Sequence, residues 1–129
     1  MIRSGAYNYI NVLDKALDAS WTRNSVISNN IANVDTPGFK RQDVHFEDYL
    51  RNEVGYTMSL DDEVADADLD SLMATTYTDY ATASYRIDGN NVDIDTESAE
   101  LAKNQIKYYT MIDSVSQEFN RLKSVIKTQ

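Results

Sequence analysis

Asp66, Asp68 and Asp70 stand at alternate positions, the spacing with which an EF-hand loop opens its set of calcium-binding carboxylates. The sixth position of such a loop would be Ser71 rather than Gly, and the twelfth Tyr77 rather than Glu. The sharp turn and the bidentate ligand are therefore both missing. Asp35-Thr36-Pro37-Gly38 resembles the Asp-Thr-Gly of aspartic proteases. Pro37 interrupts it, and no second copy completes a carboxylate dyad. His45 is the single histidine, with no Ser or Cys nucleophile motif placed to use it. The chain has no Cys, so it offers no disulfide, Fe–S cluster or thiolate zinc site. No Gly-rich loop cradles a phosphate. This inventory points away from an enzyme and gives neither a metal nor a cofactor a site.

The informative stretch is Ser28-Asn29-Asn30-Ile31-Ala32-Asn33-Val34-Asp35-Thr36-Pro37-Gly38-Phe39-Lys40-Arg41. Three Asn at the end of a helix can hydrogen-bond its free carbonyls or adopt the left-handed conformation. Pro37 then fixes φ and Gly38 permits positive φ, which makes a tight turn. Phe39 is expected to anchor the outgoing chain, with Lys40 and Arg41 facing solvent or an acidic partner.

Two long helices must position this corner. Ile10, Leu13, Leu17, Ser20, Asn24, Ile27, Ile31 and Val34 follow the 3-4 spacing of a coiled-coil seam, which predicts a helix over about residues 7–33. It ends there because Thr36 precedes Pro37 and is disfavoured in the α region. Leu101, Gln105, Tyr108, Ile112, Val115, Phe119, Leu122 and Ile126 repeat the spacing, which predicts a second helix over about 96–127, capped by Asp95 or Thr96. The two are expected to pair as a coiled-coil hairpin. Val12, Trp21, Val26, Tyr109, Met111 and Val125 lie off the seams. Either the middle segment or a neighbouring subunit must cover them.

The middle is irregular. Phe46, Tyr49 and Leu50 suggest a short amphipathic helical turn within 45–51. Residues 54–84 have no sustained period, and the acidic run 61–70 reads as loop or fraying helix. Residues 75–85 read as an irregular strand or extended arm. Tyr85-Arg86-Ile87 and Val92-Asp93-Ile94 alternate around Asp88-Gly89-Asn90-Asn91, which predicts a β-hairpin. The expected class is thus mainly α, one domain in three segments: 1–40, 41–95 and 96–129. Net charge is +2 over 1–42, −14 over 43–100 and +3 over 101–129, against −9 for the whole. Either the acidic middle is simply solvated, or the basic ends attract the middle of a neighbouring copy. This charge disfavours nucleic acid as a partner. No apolar run is long enough to span a membrane, and the first ten residues do not predict a secretory signal peptide.

The corner resembles the N-terminal signature of the flagellar rod, hook and hook-associated axial proteins, where a helix ends in Asn-Asn-Ile-Ala-Asn and turns through Thr-Pro-Gly-Phe/Tyr. Asn29, Asn30, Ile31, Ala32, Asn33, Thr36, Pro37, Gly38 and Phe39 supply those residues here, with Asp35 before and Lys40 after. The Asp43-x-x-Phe46 element, and the run from Asp88 to Asp95 followed by Glu97, Asn104, Lys107 and Tyr108, are similar to the proximal-rod members. The likeness covers about residues 5–50 and 85–128. It implies a non-enzymatic subunit of the proximal rod at the flagellar basal body, which transmits torque. It also implies export by the flagellar type III apparatus without a cleaved signal peptide. Partners would be its own copies, other rod proteins and basal-body components at the rod base, with no nucleic acid and no small-molecule substrate. A rival reading is an acidic coiled-coil module that binds Ca²⁺ or a basic partner through residues 61–70.

Overall fold

A computed structural model of the chain describes residues 5–55, 59–80 and 86–127. The elements run α1 (Gly5–Ala32), β1 (Gln42–His45), α2 (Glu47–Glu53), α3 (Leu60–Asp66), β2 (Thr75–Thr78) and α4 (Ile94–Lys127). The chain is mainly α, and the two long terminal helices pack against each other. They run antiparallel: Asn30 near the end of α1 meets Glu97 near the start of α4, and Ser20 meets Asn104 further along. At 1.5 Å per residue, α4 is about 51 Å long.

α1 stops at Ala32, where Asn33 begins a series of turns through Thr36-Pro37-Gly38. α4 starts two residues earlier than its spacing predicts. Its cap is Asp93 rather than Asp95 or Thr96: the Asp93 carboxylate accepts the N–H of Asp95 at 3.0 Å and of Thr96 at 3.4 Å.

The small antiparallel sheet is not a hairpin over 85–94. It pairs β1 with β2, in the register Gln42↔Thr78, Asp43↔Tyr77, Val44↔Thr76 and His45↔Thr75. Ile94 already belongs to α4, and Arg86 to Asp88 form a turn closed by a bond from Gly89 N–H to the Arg86 carbonyl at 3.1 Å. Tyr85 lies outside the described residues. The acidic run is helical over α3 and turns only at its end.

The core lies between α1 and the middle segment. Ala19, Phe46 and Leu72 are buried together, with Val12, Ala16, Tyr49, Leu50, Leu69 and Ala74 packed around them. The middle therefore covers Val12. Trp21, Tyr109 and Val125 remain exposed, so covering by the middle holds for one flank of α1 only. Burying Phe46 and Leu72 stabilises by about 2 kcal/mol each.

The inner stripe of α4 runs through Glu97, Leu101, Asn104, Tyr108, Met111, Val115, Glu118 and Leu122, all buried or half-buried. Gln105 is exposed and Asn104 takes the inward place. Asn104 is only 3% exposed, and its amide donates to the Ser20 carbonyl at 2.9 Å.

Candidate functional site

The corner after α1 is held by side chains that come from the other end of the chain. Asn30 is wholly buried at the last turn of α1. Its carbonyl accepts the Gln42 N–H at 2.9 Å and its amide donates to the Gln42 carbonyl at 2.8 Å. One side chain thus satisfies both backbone groups of the first residue of β1, as a neighbouring strand would. The same amide donates to Glu97 Oε2 at 2.9 Å.

Glu97 is 0% exposed, and its other oxygen accepts Arg41 Nε at 2.8 Å. Arg41 also donates to Asp79 at 2.7 Å and to Asp43 at 3.3 Å. Burial opposes the charge on Arg41, but the bonds to Glu97 and Asp79 outweigh it and push its pKa up. Arg41 therefore does not face solvent. It satisfies the one buried carboxylate of α4.

Asn90 closes the helix end. Its amide lies 2.9 Å from the carbonyls of Asn33 and Val34 and 2.8 Å from that of Thr36. All three belong to the turns just past the end of α1. Asn91 accepts the Arg41 N–H at 2.7 Å and donates to the Asp79 carbonyl at 2.8 Å. Gly38, at φ +71°, donates its N–H to the Asp88 carbonyl at 2.8 Å, and the Lys40 ammonium donates to the Gly89 carbonyl.

A second clamp lies one layer away. Arg23 donates to both carboxylate oxygens of Glu47 and, at 2.7 Å, to the Val44 carbonyl, which ties α1 to β1 and α2. The Arg23 bond, with Lys107 nearby, holds Glu47 down at a pKa of about 2. Tyr9 of α1 donates to Asp61 of α3 at 2.6 Å. The basic N-terminal third thus pairs with the acidic middle of its own chain.

Each motif residue now has a place. Asn30 is buried; Ile31, Asn33, Phe39 and Lys40 are half-buried; Asn29, Ala32, Asp35, Thr36, Pro37 and Gly38 are exposed. Asn33 bonds back to Asn29 at 2.8 Å and accepts from Thr36 at 3.1 Å. Among the seam positions Ile27 is buried. Ile10, Leu13, Leu17, Ile31, Leu101, Tyr108, Ile112, Val115 and Leu122 are half-buried, whereas Phe119 is 54% and Ile126 75% exposed. Sequence reasoning gave Glu97 and Arg41 no part in one site. Their opposite charges, each near a motif, were the available signal.

This interlock joins the two segments that carry the axial-protein likeness. A family model described as flagella basal body rod protein matches residues 10–40. The chain is 37% identical over 116 residues to the flagellar basal body rod protein FlgB of Bacillus subtilis, which spans 88% of this chain and 89% of that protein. The chain belongs to the FlgB family of flagellar basal body rod proteins. The FlgB of Borreliella burgdorferi is 35% identical over 122 residues, covering 86% of this chain and 90% of the relative. That of Escherichia coli K12 is 27% identical over 132 residues, covering 88% and 89%. The likeness therefore extends through the acidic middle as well as the two ends. It makes the chain a structural subunit of the basal-body rod.

Proposed function

We propose that this rod subunit polymerises through its terminal helices, with its own copies and with the other rod proteins, and transmits torque along the rod. The observation that carries this reading is the buried Asn30–Glu97–Arg41 cluster. It ties the end of α1, the start of α4 and the outgoing strand into one rigid joint. A shaft needs such a joint, because a bending moment on the helix layer must reach the outer segment without a hinge giving way. The motif Asn29–Lys40 acts as the assembly corner and sets the angle between those layers. The seam residues of both helices supply the packing surface, and a heterologous contact that does not close generates a rod.

The same reading makes the chain non-catalytic and an export substrate of the flagellar type III apparatus. Components at the rod base are further partners. The test is deletion of the gene followed by electron microscopy of basal bodies and a motility assay. Viable, non-motile cells without rod and hook are expected, with rescue by the intact gene. Motile cells with intact hooks would overturn the reading.

A further inference from the structure

We propose that the open groove between α1, α2 and α3 receives the C-terminal end of α4 from a second copy of this chain, a contact that rests on the rod reading above. The groove has a volume of about 610 Å³. Val12, Leu13, Leu50, Val54 and Val64 give it an apolar floor. Leu60 stands at its edge, 55% exposed. The first turn of α3 sets Asp61, Asp62 and Glu63 beside it, and α3 has no basic residue. Arg51, which also lines it, is paired with Asp48.

The end of α4 is the complement. Phe119, Lys123, Ile126 and Lys127 follow the spacing i, i+4, i+7, i+8 and so share one helix face. Phe119 and Ile126 are exposed, and Lys123 and Lys127 make no ion pair among the described residues. An apolar stripe edged with lysines matches an apolar groove that adjoins the acidic first turn of α3. The chain's own tail is not the occupant. α4 already lines the groove with Ser114, Gln117 and Glu118, and a continuous helix carries the residues beyond them onward instead of folding them back. Donor stripe and acceptor groove lie on different surfaces, so repetition of the contact builds a filament.

The test uses the absence of native cysteine. Leu60→Cys and Ile126→Cys chains, both altered at exposed positions, are co-expressed in cells lacking the wild-type gene. Basal bodies are purified and oxidised. The expected product is a mixed disulfide between the two chains, about tenfold over either homodimer. Adding Lys127→Glu to the Ile126→Cys chain is expected to reduce it about fivefold, and Asp62→Lys in the Leu60→Cys chain to restore it. Basal bodies that contain both chains without an excess of mixed disulfide would overturn the contact and leave the rod reading standing. Cross-linking to a different basal-body protein would overturn the second copy as occupant, and a mixed disulfide indifferent to Lys127→Glu would overturn the charge-matched seating. Absence of the chain from basal bodies would overturn both proposals.

Discussion

Arg41 Nε lies 2.8 Å from Oε1 of Glu97, 56 residues further along the chain, and Glu97 has no exposure to water. Removing one partner of a buried pair leaves a charge without its counter-ion. Arg41 keeps Asp79 and Asp43, which limits the damage. Glu97→Gln is therefore expected to destabilise the chain by about 3 kcal/mol, at the low end for a broken buried pair. Urea unfolding of the full chain measures it, and a loss well under 1 kcal/mol would show that Glu97 does not hold the joint.

Asn90 serves three carbonyls at the end of α1. Each of these carbonyls also accepts a second donor, from Thr36 N–H, Arg86 and Phe39 N–H in turn, so Asn90→Ala removes shared bonds without orphaning an acceptor, at a cost of about 1 kcal/mol. Amide hydrogen exchange should rise first over residues 33–39 and leave the middle of α4 unchanged. Uniform acceleration across the chain would contradict the capping role.

Gly38 sits at φ +71°, and a Cβ there would meet nothing within 4 Å. The cost of a side chain is thus backbone strain rather than a clash, and a β-branched residue suffers it most. Pro37→Ala combined with Gly38→Val should leave expression near normal while sharply reducing the fraction found in purified basal bodies. A wild-type fraction in that double variant would make the corner an ordinary loop.

Glu47 carries the pH dependence. Its pKa is lowered from 4.5 to about 2, chiefly by the Arg23 bond. A depressed carboxylate stabilises the fold fully above its unfolded value, and the contribution disappears as pH falls from about 4.5 towards 2. Stability measured across that window should fall less steeply in Glu47→Gln than in the parent chain. Parallel curves would separate the clamp from acid sensitivity. The carboxylate is nearly half exposed, so solvent screening keeps the effect small.

Ile112 and Phe119 separate folding from assembly. Ile112 is half-buried, whereas Phe119 is exposed. Ile112→Asp is expected to lose both helix content and motility, since it places an unpaired charge at a half-buried position. Phe119→Asp should retain the circular dichroism of the parent and still abolish motility. Swimming by the Phe119 variant would remove that residue from any interface.

The helices were legible because 3-4 apolar spacing is a long-range signal that many residues repeat. The inner stripe of α4 was read one position off at alternate steps. Glu97, Asn104 and Glu118 occupy inward places, and apolar counting passes over polar residues. Its apolar candidates Ile112, Phe119 and Ile126 lie beside the stripe. The hairpin over 85–94 was misread for a related reason. The alternating residues 85–87 and 92–94 flank a loop that is held by Asn90 and Asn91 amides turned onto distant backbone, and local pattern cannot distinguish that from the turn of a hairpin. The corner was legible as a turn, because Pro and Gly act locally. Its partners were not, because ion pairs between residues 41 and 97 leave no periodic trace.

The joint also has a consequence for the order of folding. The bond from Asn30 to Glu97 spans 67 residues, and that from Asn104 to Ser20 spans 84. Contacts of such sequence separation close large loops and form late. A chain emerging from its N-terminus can build α1 and pair Asn30 with Gln42, yet the bond from Asn30 to Glu97 cannot form until α4 has arrived. Until that moment the subunit is a thread with its latch open, and the last third of the polypeptide decides when it shuts.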